Sequence, residues 1–211
     1  MITRYQIQPR GNMQVTTDDQ ANWIRVSAPL PQELQTLATT YGLPATYLAA
    51  ATDQHENARV EGLNPADQVP GLIVLRYPVE TTSETGFDQY NTVPMTMILL
   101  NDRVITITHD PLQAFDDLAQ QKLSPKPEEF ALEVLWLVLH QFVIAMDKLN
   151  DETKQIERSL GKAAKNTQLY QLMAMQKGLV FFDAALDHSG TLLKALRDGE
   201  RFFNTNGYLR R

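Results

Sequence analysis

Residues 130–196 decide the fold of this chain, and they read FALEVLWLVLHQFVIAMDKLNDETKQIERSLGKAAKNTQLYQLMAMQKGLVFFDAALDHSGTLLKAL. Apolar residues recur here at alternating intervals of three and four, which places them along one side of a helix. The stripe comprises Leu132, Leu135, Leu139, Phe142, Met146, Leu149, Thr153, Ile156 and Leu160, and then Leu172, Met175, Leu179, Phe182, Leu186, Ser189, Leu193 and Leu196. The polar segment at 161–166 begins with a glycine, where the first helix is expected to end.

This pattern predicts two long helices folded back on each other as an antiparallel hairpin with coiled-coil-like contact. Each helix would be about 40 Å long at 1.5 Å per residue, more than a small core needs. Leu179 and Leu186 would face the apolar seam between the helices. An aspartate at either position is therefore expected to unfold the hairpin, because it would bury an unpaired charge.

Composition excludes several classes of protein. The 211 residues carry a net charge of -6, whereas binding to nucleic acid requires clustered Lys and Arg, so no nucleic-acid partner is expected. There is no cysteine, which excludes disulfides and thiolate metal sites. The most apolar window, residues 131–146, is shorter than the about 20 residues of a bilayer span. It predicts a buried helix, and the chain as given is expected to be soluble.

The first part of the chain predicts a mixture of short strands and helices, and thus an α+β fold. Strands are expected at residues 23–26, 59–63, 72–79, 93–100 and 104–108, with a tight turn between the last two, and helices are expected to begin at Pro31, Leu43 and Asp110. Ser124-Pro125-Lys126-Pro127 forms a stiff break. We therefore predict a first domain at 1–124 and a helical hairpin at 125–211.

No catalytic motif is recognisable, so the chain is not expected to be an enzyme. The four histidines, at 55, 109, 140 and 188, are far apart in the sequence, and none has a companion at metal-ligand spacing. The polar cluster at residues 53–61 contains Asp53, Glu56 and Glu61, whose carboxylates are ligands that suit Mg²⁺. The favoured alternative is a loop that leads into a strand, with Arg59 paired to a neighbouring carboxylate.

Several stretches stand out for their order along the chain: WIRV (23–26) with residues 31–48, DQHENARVE (53–61), YNTVPM (90–95) with residues 96–106, LNDE (149–152), IERSL (156–160) and QKGLVFF (176–182). In these stretches the chain resembles the cytoplasmic part of the CorA-type divalent-cation transporters. The resemblance implies an α/β/α sandwich followed by the helical hairpin. It also implies a homopentamer, no enzymatic activity, and Mg²⁺, Co²⁺, Ni²⁺ or Zn²⁺ as the transported or regulatory ion.

The resemblance further implies a protein of the cell membrane, with this segment on the cytoplasmic side. The family's two membrane spans and the Gly-Met-Asn pore signature would follow Arg211, so the segment by itself would conduct no ions. The positions of the family's acidic regulatory residues correspond to Ala49 and Ala50, which offer no ligand. Asp53 and Glu56 are then the local candidates for metal binding. Two alternatives stay open, namely a zinc-transporting branch of the family and a soluble coiled-coil scaffold without transport activity.

Overall fold

Seven strands form one mixed sheet at the centre of the fold. The computed structural model describes residues 1–17, 20–118, 120–159, 166–199 and 201–203. The strands are β1 (Ile2–Ile7), β2 (Met13–Val15), β3 (Trp23–Ser27), β4 (Arg59–Glu61), β5 (Gly71–Thr82), β6 (Asp88–Leu99) and β7 (Val104–Thr108). Their order is β2-β1-β3-β7-β6-β5-β4, and β3 and β7 are parallel neighbours whereas the other neighbouring pairs are antiparallel.

Within the described residues, five helices cover the two faces of the sheet. They are α1 (Pro31–Tyr41), α2 (Ala45–Thr52), α3 (Ala114–Leu118), α4 (Pro127–Ser159) and α5 (Asn166–Asp198). Helices α1 and α2 bury Leu34, Leu37 and Tyr47 against one face, while α3, α4 and α5 bury side chains such as Phe115, Phe130 and Leu196 against the other. The predicted α/β/α arrangement and the α+β class are confirmed.

The buried segments of the central strands are largely apolar because both of their faces are covered. In β5, Leu72 and Val74 belong to the core under α1 and α2, and Ile73 and Leu75 belong to the core under the long helices. This alternation follows from the period of two residues in a strand. All four side chains are fully buried.

The two long helices form the predicted antiparallel hairpin. Phe142 of α4 meets Phe182 of α5 edge to face, with ring centroids 5.3 Å apart. Closer to the end of α4, Leu149 lies across a groove from Met175. Gly161, at which the first helix was expected to end, lies outside the described residues.

The hairpin packs on the sheet through a row of small and aromatic residues. Phe182 contacts Tyr90 of β6 at 5.4 Å between ring centroids, and Gly178 lies directly against the Tyr90 backbone. Phe130, Val134 and Val138 of α4 belong to the same core as the strands. The predicted domain boundary after residue 124 stays a prediction, and the long helices share a core with the sheet that precedes them.

The expected position of Leu179 and Leu186 was wrong. Leu179 is 49% exposed and Leu186 is 37% exposed, so neither lies in a buried seam. Along α5 the predicted stripe separates into two rows: Met175, Phe182, Ser189 and Leu196 are buried, whereas Leu172, Leu179, Leu186 and Leu193 are exposed. The sheet and α4 cover one row only.

Candidate functional site

The predicted metal-binding residues lie in the connection between α2 and β4. Asp53 directly follows α2 and is exposed, and Glu56 is half-buried three residues later. A turn links them, because the backbone N–H of Glu56 donates to the Asp53 carbonyl at 3.2 Å. Both side chains are thus carried on one tight loop at the edge of the sheet.

Each of the two carboxylates already has a partner within the loop. Oδ1 of Asp53 accepts a hydrogen bond of 2.8 Å from the backbone N–H of His55. Oε1 of Glu56 accepts one of 3.1 Å from Nε of Arg59, and Arg59 is also paired with Glu61. The local pairing of Arg59 that the sequence favoured is present in the structure.

The described residues around this loop form no closed set of metal ligands. Among the residues that the structure describes, no group of three or more His, Asp or Glu side chains is placed to hold a metal ion. Mg²⁺ commonly keeps several waters and uses one or two carboxylates, which matches a pair such as Asp53 and Glu56. A cation at Glu56 would compete with Arg59.

The neighbouring positions at the end of α2 contribute no oxygen ligand from their side chains. Ala49 is exposed and Ala50 is buried. On α4, His140 is half-buried, and its ring stacks on Trp136 at 4.8 Å between centroids. This contact gives His140 a packing role.

An acidic region on α4 faces the β5–β6 hairpin. Nζ of Lys148 donates to both carboxylate oxygens of Glu80 at 2.7 Å. Burial raises the pKa of Glu152, an effect that Lys148 opposes and the charges of Asp88 and Glu80 reinforce. This face of the helix is thus partly engaged with the sheet.

A second surface of interest is the exposed row of leucines on α5, which the sequence had placed in the seam of the hairpin. Leu172 and Leu179 line a groove between the two long helices together with Met146 and Leu149 of α4, and the groove encloses about 400 Å³. Met146 is 46% exposed. The repeat of Leu172, Leu179, Leu186 and Leu193 at seven-residue spacing was the available signal, because such a row is typical of a helix packed on another helix.

Helix α4 is long and apolar enough, by length and composition, to cross a membrane. Core helices of globular proteins can have the same composition, and here 44% of the most apolar window is buried. The side that carries Phe130, Val134 and Val138 rests on the sheet. The prediction of a buried helix is confirmed for that side.

Three of the four histidines are closer in space than their separation in the sequence indicates. His55 and His188 line one cavity between the α2–β4 loop and α5. Nε2 of His109 is 2.7 Å from Nε2 of Gln54, which lines the same cavity. Among the described residues, these contacts bring no three metal-ligating side chains together.

The sequence matches the family model described as CorA-like Mg²⁺ transporter protein over residues 18–211. The chain belongs to this family, as its resemblance indicated. No curated protein sequence matches it significantly.

Solved structures share this fold at low sequence identity. The complete CorA magnesium transporter from Methanocaldococcus jannaschii is similar with a TM-score of 0.78 and 18% identity, over 100% of this chain and 64% of that chain. The soluble domain of CorA from the same organism is similar with a TM-score of 0.76 and 19% identity, over 93% of this chain and 79% of that chain. The ZntB cytoplasmic domain from Vibrio parahaemolyticus is similar with a TM-score of 0.71 and 12% identity, over 97% of this chain and 82% of that chain. This chain therefore spans 64% of the length of the complete transporter to which it is similar.

Proposed function

We propose that this chain is the cytoplasmic regulatory part of a CorA-like Mg²⁺ transporter of the cell membrane. The observation that carries the proposal is the family match over residues 18–211, together with a fold similar to the soluble domain of CorA. In this proposal the membrane spans belong to a longer protein. Their Mg²⁺ or Co²⁺ cargo would cross the membrane beyond the hairpin.

The proposed regulation acts through differential binding of a cation. A cation can shift an equilibrium between two arrangements of subunits only if it binds one arrangement more tightly. Asp53 and Glu56 are the proposed contacts, because they place two carboxylates on one exposed turn. The long hairpin would carry the change in subunit arrangement towards the membrane.

Two ions are candidates in this proposal, because the fold is shared by proteins named for different metals. The ZntB cytoplasmic domain has a fold similar to that of CorA at a comparable TM-score. A zinc-transporting branch is therefore the second candidate, and Ni²⁺ is a further candidate ion. A comparison of several cations on one protein separates them.

Thermal unfolding tests the proposed cation contacts. We expect MgCl₂ to raise the Tm of the wild-type chain at constant ionic strength, because a ligand at about 100 times its Kd stabilises the folded state by about 2.7 kcal/mol. Asp53→Asn and Glu56→Gln should each lose more than about half of this shift, as expected when one charged ligand is removed. Both variants should fold, because asparagine still accepts the His55 N–H bond and Arg59 keeps Glu61.

Asp67→Asn is the matched control, because Asp67 also accepts a backbone N–H bond in a turn, from Asn64 at 3.0 Å. Its Mg²⁺-dependent shift should equal that of the wild type. Equal shifts in all three variants would remove Asp53 and Glu56 from the proposal. A larger shift with ZnCl₂, CoCl₂ or NiCl₂ than with MgCl₂, lost in the same two variants, would change the ion and keep the site.

We also propose that the exposed leucine row mediates contact between subunits, as a homo-oligomeric regulatory domain and ultimately a pentamer would require. Leu179 and Leu186 lie on this row, and Leu179 also lines the groove that contains Met146. Sedimentation of the wild-type chain should show association that increases with concentration. Leu179→Asp and Leu186→Asp should shift it towards the monomer while the fold stays intact, since both side chains are already partly in solvent.

Val180→Asp is the control for the added charge, because Val180 is 61% exposed and lies beside Leu179 but outside the row. It should associate as the wild type does. A wild-type chain that is monomeric at every concentration would contradict association through this surface, as would equal weakening in all three variants. If the chain were monomeric and also showed no response to any divalent cation, the alternative of a soluble scaffold without transport activity would be favoured.

A further inference from the structure

A cavity of about 340 Å³ lies between the α2–β4 loop, strands β5 and β6, and helix α5. Its eleven lining residues include Arg76, two histidines and four neutral polar side chains, but no Asp or Glu. The whole chain has 25 acidic residues against 19 Lys and Arg. The lining thus carries one fixed positive charge and no carboxylate, a composition that favours an anionic over a cationic ligand.

Arg76 supplies the fixed positive charge of this cavity. Nε of Arg76 donates to Oγ1 of Thr92 at 3.0 Å, Nη1 donates to the carbonyls of Gln54 and Glu56 at 3.3 and 2.7 Å, and Nη2 donates to the carbonyl of Thr92. These partners are neutral dipoles, and no ion pair joins Arg76 to a carboxylate of the described residues. Four of its five N–H groups are thus used to hold the guanidinium in place, and its charge is not neutralised.

The nearest acidic side chains are held in other contacts. The Glu56 carboxylate is bonded to Arg59, so only the backbone of Glu56 meets Arg76. Asp53 accepts from the His55 N–H. Burial lowers the pKa of Arg76, and the charge of Asp53 opposes this effect from a distance. A guanidinium stays protonated in proteins, so the positive charge persists.

Polar groups at the mouth of the cavity can complete a shell around a ligand. Nδ1 of His188 is 2.6 Å from the carbonyl of Ala184, an arrangement that makes Nδ1 the donor, so that Nε2 of a neutral imidazole is an acceptor for an O–H group of a ligand. Asn57 and Asn91 add carboxamide groups, which can donate to an anion. Phe181 and Val93 form an apolar wall opposite these groups.

We propose that this cavity binds a small anion whose phosphate or carboxylate oxygens lie towards Arg76 and Asn57, with an O–H group of the ligand towards Nε2 of His188 and an organic part against Phe181. The volume lies at the lower end of the range for small-molecule sites. The site is distinct in charge from the proposed cation contacts, although the same loop carries both. Occupancy by an anion would fix residues 54–57 against α5, and so would couple an anionic metabolite to the position of Asp53 and Glu56.

Calorimetric titration in buffer freed of divalent cations tests this proposal on the full chain. The probes are inorganic phosphate, AMP and citrate, which separate a bare phosphate, a phosphate with an organic part and a carboxylate ligand. We expect at least one probe to bind the wild type. His188→Ala should weaken that binding about threefold to tenfold, as for one lost hydrogen bond, while Asp53→Asn should leave it unchanged or strengthen it by removing a nearby negative charge.

Lys194→Ala is the matched control, because Lys194 is an exposed cationic residue on α5 outside the cavity lining. It should bind the probe as the wild type does. Arg76→Lys tests the guanidinium where the variant keeps a wild-type Tm, and should abolish the tightest binding. Absence of binding by all three probes at millimolar concentration, or equal weakening by His188→Ala and Lys194→Ala, would overturn the proposal. Because no divalent cation is present, neither result bears on the proposed cation regulation.

Discussion

Replacement of Phe182 by alanine is expected to destabilise the fold by about 3–5 kcal/mol, the usual cost of removing a buried phenyl ring. Phe182 is 2% exposed, and its ring touches Tyr90 of the sheet and Phe142 of α4. It therefore joins three elements at the middle of the hairpin. Loss of this ring would leave a cavity that rigid neighbours fill only in part. Urea unfolding followed by circular dichroism measures the effect.

Leu179→Ala is the natural comparison, because Leu179 lies three residues earlier on the same helix and belongs to the same sequence stripe. It is 49% exposed, so its truncation should cost less than about 1 kcal/mol at concentrations where the chain is monomeric. Equal losses at Phe182 and Leu179 would contradict the observed division of α5 into a buried row and an exposed row. The pair thus tests the packing of the hairpin directly.

Gly62→Ala is expected to destabilise the fold by about 3 kcal/mol or more, because two separate costs coincide. The backbone of Gly62 has φ of +69°, which disfavours any residue with a Cβ. A Cβ there would also overlap the carbonyl oxygen of Pro70, a backbone atom that accepts a 2.7 Å bond from the Tyr47 hydroxyl. The clash cannot be relieved without moving β4 or the start of β5.

Gly42→Ala separates these two costs. Gly42 ends α1 with φ of +62° and ψ of 38°, and a Cβ there would meet nothing within 4 Å. Only the left-handed conformation is then penalised, at about 1–2 kcal/mol. Differential scanning calorimetry should therefore give a clearly lower Tm for Gly62→Ala than for Gly42→Ala. Similar values would show that the contact with Pro70 relaxes at little cost.

The loop between α2 and β4 contributes to both proposed sites, with its side chains to one and its backbone carbonyls to the other. Asp53 and Glu56 present carboxylates at the surface, while the carbonyls of Gln54 and Glu56 turn inward to Arg76. A short loop can do both because its backbone carbonyls and its side chains point to different sides of the loop. Changes in one site are therefore expected to be felt in the other through the loop backbone.

Much of the architecture could be predicted because it depends on local periodicity. Pro31 begins α1 and Gly42 ends it, as their backbone preferences require. The apolar runs in β5, β6 and β7 predicted strands, and the turn at residues 101–103 predicted their pairing. Strands β1 and β2 were not predicted, because half-buried strands at the edge of a sheet carry more polar residues and a weaker alternation.

The candidate sites were harder to predict from the sequence than the architecture was. The Asp53–Glu61 cluster was recognisable, since its charged residues are adjacent in the chain. The cavity around Arg76 was not, because Gln54, Arg76, Thr92 and His188 come from four separate elements. No local pattern indicates that a half-buried arginine will meet carbonyls instead of a carboxylate.

The sequence by itself determined the helices, most of the strands, the hairpin and the family, because each of these follows from spacing along the chain. The tertiary structure alone decided that β3 lies parallel to β7, and that Phe182 is buried while Leu179 is exposed. A stripe with three-and-four spacing spans a wide arc of a helix, and both rows fit it equally well. Which row is buried depends on how far the sheet and α4 extend over that arc, a property of packing between elements that are distant in the chain.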